Sequence, residues 1–162
     1  MVIKATFDDL PDVLRIYETA RKFMADNGNP DQWANGHPRD SMLIEDIEAG
    51  RLYVVADEEG ERVGVFAMLE GIDPTYVNIY DGSWRSDAPY IAIHRIAGDG
   101  RKKGILRECR DFARGFRPHL RIDTHEANIP MQGALRKLGF EYRGIIYLPN
   151  GESRIAYDWL AE

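Results

Sequence analysis

The stretch YIAIHRIA, residues 90–97, is nearly all apolar. A strand exposed on one face alternates apolar and polar residues, whereas a strand inside a sheet is covered on both faces and reads as one apolar run. This stretch therefore predicts a central strand, with a layer of helices on each side of its sheet. It stops at Gly98-Asp99-Gly100, and Arg101, Lys102, Lys103 and Gly104 follow. Beyond them Ile105, Cys109, Phe112 and Phe116 recur at helical spacing, which predicts a helix over 101–116. A helix N-terminus presents free backbone N–H groups and the positive end of the helix dipole. Here it carries basic side chains, and Gly104 leaves room for a ligand to approach. The turn is a candidate cradle for a phosphate or diphosphate, although many strand-to-helix turns contain Gly and Lys and bind nothing. It carries neither a G-x-x-x-x-G-K-[ST] loop nor a G-x-G-x-x-G fingerprint.

The rest of the chain supplies the other elements. VIKA (2–5) reads as a short strand. In residues 8–28, Leu10, Leu14, Tyr17 and Met24 lie near one helical face with Val13, Ile16 and Ala20, capped by Asp8 or Asp9 with Pro11 in the first turn. Residues 27–38 form an irregular loop and 39–50 a second helix closed by Gly50. Strands follow at 51–57, 62–71 and 75–80, the first two joined by a turn at 57–61. After the loop 82–89 come the central strand and its helix, a strand at 120–125, a helix within 130–140, and a closing hairpin of GIIYL and RIAYDWL around PNGES. The order β-α-α-β-β-β-β-α-β-α-β-β predicts an α/β fold with a mixed sheet and helices on both faces.

The length of 162 residues fits one domain over 1–162, and 44% hydrophobic residues suffice for a core. The net charge of −6 argues against a general nucleic-acid binder, so any anion must be held locally. The lone Cys109 forms no internal disulfide, which points to a reducing compartment. The N-terminal MVIKATFDDLPDV lacks an apolar signal core, and no apolar run approaches the roughly 18–20 residues of a membrane span. The expectation is a soluble, cytoplasmic protein. His37, His94, His119 and His125 form no ligand-spaced cluster, so no metal is expected.

The segment Arg101-Lys102-Lys103-Gly104-Ile105-Leu106 resembles the acyl-CoA-binding motif of the GNAT superfamily of N-acetyltransferases, R/Q-x-x-G-x-G/A, at its first and fourth positions. NIPMQGALRKLGF is similar to that family's N-x-x-A-x-x-L-Y-x-K-L-G-F segment, with Asn128, Lys137, Leu138, Gly139 and Phe140 in register. The element order matches too, over nearly the whole chain, and IHRIA, RIDTH, GIIYL and RIAY resemble an uncharacterised bacterial branch. The resemblance implies a mostly antiparallel central sheet whose strands at 90–97 and 120–125 splay apart to admit a thioester. It implies acetyl-CoA as co-substrate, its diphosphate on the amides from Arg101 to Leu106 and its pantetheine arm along Arg95, Ile96 and Ala97, with Asn128 on the other side. The partner it implies is a small-molecule or peptide amine, with no nucleic acid and no membrane; such folds commonly dimerise, so a second copy is a further candidate. Two departures stand out: the GDG turn is about two residues short, and Leu106 replaces a small residue.

Acyl transfer needs a neutral amine, a stabilised oxyanion and a leaving thiolate. His94 is the leading base, in register with a position that often carries glutamate in the family; the alternative is a structural histidine. Asp123 and His125 share one face of their strand and serve either as relay and acceptor contacts or as a cap of the following turn. The family's acid, a tyrosine, is Leu135 here, leaving water or Tyr147 or Tyr142 to supply the proton, the tyrosines equally reading as packing residues. Asn27, Gln32 and Trp33 lie where relatives line the acceptor pocket, Trp33 equally serving to anchor its loop. Cys109, Trp84 and Trp159 read as structural. Two other readings remain open: a non-catalytic acyl-CoA-binding or sensing protein on the same fold, and a nucleotide-phosphate binder.

Overall fold

A computed structural model describes residues 1–161. The chain runs β1 (Val2–Lys4), α1 (Leu10–Asp26), α2 (Asp40–Glu48), β2 (Leu52–Ala56), β3 (Arg62–Glu70), β4 (Ile91–Gly98), α3 (Ile105–Ala113), β5 (His119–Thr124), α4 (Ile129–Lys137), β6 (Glu141–Tyr147) and β7 (Ser153–Leu160). The strands form one sheet in the order β1-β2-β3-β4-β5-β7-β6. Only β4 and β5 pair in parallel; every other neighbouring pair is antiparallel.

Period-two alternation sends successive strand residues to opposite faces. Tyr53, Val55, Phe66, Ile91, Ile93, Leu120 and Ile122 face α3 and α4, where Leu106, Cys109, Ala113 and Leu135 meet them. Leu52, Val54, Val65 and Ala67 face Val13, Ile16, Tyr17 and Ala20 of α1 and Leu43 and Ile47 of α2. The spacing of those α1 residues, i, i+3, i+4, i+7, is one helical stripe. The sheet is thus covered on both faces, as the apolar run of β4 demands. Among the described residues, no helix is long and apolar enough to cross a membrane.

Two expected elements change. Residues 75–80 are not a strand: Pro74–Tyr76 is a single 3-10 turn, and of this stretch only Tyr80 pairs its backbone with the sheet, by an isolated bridge to Ile145. Pro74 has no N–H to donate, and the Asp73 carboxylate takes the Thr75 N–H at 2.9 Å, so this stretch is a capped turn. Tyr76 owes its burial to ring packing on Trp84 and Tyr90, which joins residues 71–90 to Ala92, Ile146 and Ala156 as a third cluster. The segment presses on β6 so closely that a Cβ on Gly82 would lie 1.8 Å from the Arg143 carbonyl oxygen.

The helix predicted over 101–116 spans only Ile105–Ala113. Asp99 accepts the Arg101 N–H at 3.0 Å and binds its guanidinium at 2.8 Å, a local turn that competes with helix. Gly104 then adopts φ 81°, and no atom within 4 Å would touch a Cβ placed on it. The glycine is required by its left-handed backbone, with space to spare beside it.

Candidate active site

β4 and β5 pair at only two positions, Ile91↔Leu120 and Ala92↔Arg121. Beyond them the strands part. The cause lies in β4, where Arg95 and Ile96 together face the single residue Phe66 of β3, with Val65↔Ala97 on one side and Ala67↔His94 on the other. An extra residue bends and twists a strand. Arg95 takes φ 54°, an uncommon conformation for a residue with a side chain, and the surroundings hold it there. The buried Tyr17 hydroxyl donates to the Arg95 carbonyl at 2.5 Å, and the Arg95 guanidinium binds the buried Asp46 carboxylate at 2.9 Å. Asp46 also binds Arg51 at 2.6 Å. Helices α1 and α2 therefore clamp the bulge from one face.

The parting of the strands opens a cleft of about 720 Å³. Ile93, His94, Arg95 and Ile96 line it from β4, and Ile122, Asp123 and Thr124 from β5. The β4 backbone from Ile93 onward has no β5 partner, so its hydrogen-bonding edge faces the gap.

His94 is the chemical centre of the cleft. Its Nε2 lies 2.5 Å from Asp73 Oδ2, while Asp73 Oδ1 accepts from the Thr75 N–H and hydroxyl. Burial pushes the Asp73 carboxyl up, but the bonds from His94 and Thr75 outweigh it and bring the pKa down to about 2. An ionised carboxylate only accepts, so Nε2 carries the hydrogen, and in the neutral ring the lone pair lies on Nδ1. Nδ1 has no hydrogen-bond partner among the described residues. The ring stacks on Tyr76 at 5.6 Å, and the Tyr76 hydroxyl donates to Asp123 Oδ2 at 2.7 Å. A fixed, oriented imidazole with one open nitrogen can accept a proton.

The other anticipated residues divide. Gln32, Trp33 and Asp123 line the cleft with His94, Arg95 and Ile96. Trp33 is buried edge-on against Tyr17 at 5.5 Å, and Gln32 Oε1 accepts from Asn128 at 3.0 Å. Asn128 caps α4 through the Met131 N–H, so both ends of its amide are engaged within the protein. Ala97 is buried against Val65. Asn27 lies outside the cleft, donating to the Phe23 carbonyl at the end of α1. His125 caps the turn before α4, its Nδ1 accepting the Ala127 N–H at 3.0 Å, and it lines a second, shallower cleft. Tyr147 is half exposed, packs against Tyr80 at 5.4 Å, and does not reach the main cleft. Leu135 is fully buried in the core, and burial pushes the Cys109 thiol well up, as packing residues.

At the mouth of α3, two of the three basic residues are already paired, Arg101 with Asp99 and Lys102 with Glu108 at 3.1 Å. Lys103 makes no ion pair among the described residues, and the Ile105, Leu106 and Arg107 N–H groups precede the first helical bond, Glu108 N–H to the Gly104 carbonyl. The Leu106 side chain turns into the core. The sequence does not mark Asp73, Thr75, Tyr76 or Asp46 as site residues, and it marks Tyr17 only as part of the apolar face of α1. The Asp-Pro-Thr turn signal at 73–75 was the one available clue to the first two.

No protein-family model matches the chain, and no curated protein matches it. Among solved structures, a GNAT-family acetyltransferase from Streptococcus agalactiae is 31% identical, with a TM-score of 0.90 over 100% of this chain and 95% of that one. The chain belongs to the GNAT family of acetyltransferases. A putative acetyltransferase from Staphylococcus aureus is 25% identical, with a TM-score of 0.69 over 99% of this chain and 98% of that one. AAC(6')-Ib, solved in complex with ribostamycin and coenzyme A, shares the fold at 15% identity, with a TM-score of 0.68 over 99% of this chain and 92% of that one. In this GNAT chain the bulge, the parted strands and the His94–Asp73 pair meet in one cleft.

Proposed function

We propose that the protein transfers an acetyl group from acetyl-CoA to a primary amine of a small molecule or peptide, by direct attack within a ternary complex. The observation that carries this reading is His94, anchored through Nε2 on Asp73 with Nδ1 open where β4 and β5 separate.

The chain's own groups fit the co-substrate. The unpaired β4 edge offers backbone partners to a pantetheine amide, and the free N–H groups of Ile105, Leu106 and Arg107, with Lys103, suit a diphosphate. Arg101 and Lys102 support that mouth while bound to Asp99 and Glu108. Asn128 reaches the arm only by giving up Gln32 or by its remaining N–H. The bound thioester supplies the activated acetyl carbon. His94 takes the amine proton at Nδ1, and the ionised Asp73 stabilises the resulting imidazolium. Holding amine and thioester together supplies much of the rate. Tyr147 lies outside the cleft, so no tyrosine acid is assigned; a thiolate is weakly basic and leaves without one.

The test is calorimetric titration with acetyl-CoA followed by a thiol-release screen over amines. The reading predicts binding and amine-dependent release. Tight binding without release over a broad panel of amines would establish a binding protein in place of an enzyme.

A further inference from the structure

The cleft wall around His37 is cationic, although the whole chain is acidic. Arg39, Arg95 and Arg154 line the cleft with His37, and Arg21 reaches the His37 carbonyl from α1 at 3.4 Å. Burial and the fields of Arg95, Arg154, Arg21 and Arg39 all hold the His37 imidazole below its ordinary pKa, which keeps it neutral. Among the described residues, two carboxylates are bonded to these four guanidinium groups. Asp46 binds Arg95 at 2.9 Å but is shared with Arg51, and Glu152 binds Arg154 at 3.2 Å. Arg21 and Arg39 make no ion pair among the described residues. Asp31 and Glu70 also line the cleft, both exposed to solvent, and Asp73 and Asp123 line it on the His94 side, bonded to His94 and Tyr76.

Arg154 is the odd member. It is 5% exposed, on β7, yet its one carboxylate partner among the described residues, Glu152, has a side chain 52% exposed. Its remaining bonds go to the backbone carbonyls of Ser153 and Gln32, at 2.9 and 3.4 Å. A solvated carboxylate offsets little of the cost of burying a cation. A planar guanidinium with such weak compensation, on the wall of a cleft, is suited to a carboxylate brought in by a ligand.

We infer that the acceptor carries a carboxylate besides its reacting amine, held by Arg154 and Arg39 at the His37 wall while the amine meets His94. The inference rests on the transferase reading above. The substrate class is amino-acid-like.

The test measures acetyl-CoA-dependent thiol release for free amino acids, their primary amides and polyamines. The wild type turns over an acid with kcat/KM at least about tenfold above its amide, mainly through KM. Arg154→Gln lowers that acid-to-amide ratio about tenfold or more, Arg154→Lys lowers it less, and Arg39→Gln lowers it in the same direction. A wild type that prefers amides or polyamines overturns the inference and leaves the transferase reading standing. So does an equal loss on acid and amide in a folded Arg154→Gln protein. If that variant does not fold, an unchanged ratio in Arg39→Gln overturns the role of this wall. Absence of thiol release with every amine overturns the transferase reading, and this inference with it.

Discussion

Asp73→Asn isolates what the carboxylate does for His94. In the wild type both oxygens of the Asp73 carboxylate are engaged, Oδ1 by the Thr75 N–H and hydroxyl and Oδ2 by Nε2. An asparagine keeps the Thr75 bonds with its carbonyl oxygen and turns its NH2 toward the ring. That donor needs Nε2 as acceptor, so the hydrogen moves to Nδ1, the atom the mechanism uses as base. Loss of a positioned base lowers the rate by about 100-fold or more, equivalent to about 3 kcal/mol of barrier. Stability changes as well. The folded carboxyl titrates at about 2 against 3.8 in the reference state, a difference equal to about 2 kcal/mol. The folded-state value is the lower one, so the unfolded chain binds the extra proton. This stabilisation is complete above about pH 4 and is lost as pH falls toward 2. The variant lacks that component of acid sensitivity. The assays are thiol release from pH 6 to 9 and urea unfolding at pH 7, 4 and 2.5. Transfer within twofold of wild type across that range would refute the assignment of Asp73 to the base.

Three further outcomes follow from the clamp and the core. Tyr17→Phe leaves the Arg95 carbonyl without its buried donor and lowers stability by about 1–3 kcal/mol, read by urea unfolding, with a weaker hold on acetyl-CoA read by calorimetry. Gly82→Ala drives a Cβ onto the Arg143 carbonyl and lowers stability by about 3 kcal/mol; an unchanged melting temperature would contradict the docking of residues 71–90 on β6. Leu135→Tyr places the family's usual residue in a fully buried position, costs about 1–3 kcal/mol by overpacking, and raises no rate in the thiol-release assay.

What the sequence made legible was periodic. The stripe Val13, Ile16, Tyr17 and Ala20 and the continuous apolar run of β4 each state their burial locally. The false strand at 75–80 shows the limit of that signal: Tyr76 and Ile79 are covered by rings and loops, and backbone pairing is a separate matter. The start of α3 was misplaced because Asp99 and the left-handed Gly104 act through backbone geometry that spacing does not record. The cleft was half legible. His94 sits on a readable strand, but its partner lies 21 residues away in a turn, and the Asp46 that holds Arg95 lies 49 residues away on a helix. Such pairs exist only once β3, β4, α1 and α2 have packed.

His94→Gln, measured for acetyl-CoA affinity and for transfer rate on the same preparation, tests the central claim most directly. The account predicts a dissociation constant within about twofold of wild type, because the coenzyme is held by backbone edge and helix mouth, and a transfer rate lower by about 100-fold or more. Transfer at the wild-type rate with affinity intact would contradict it.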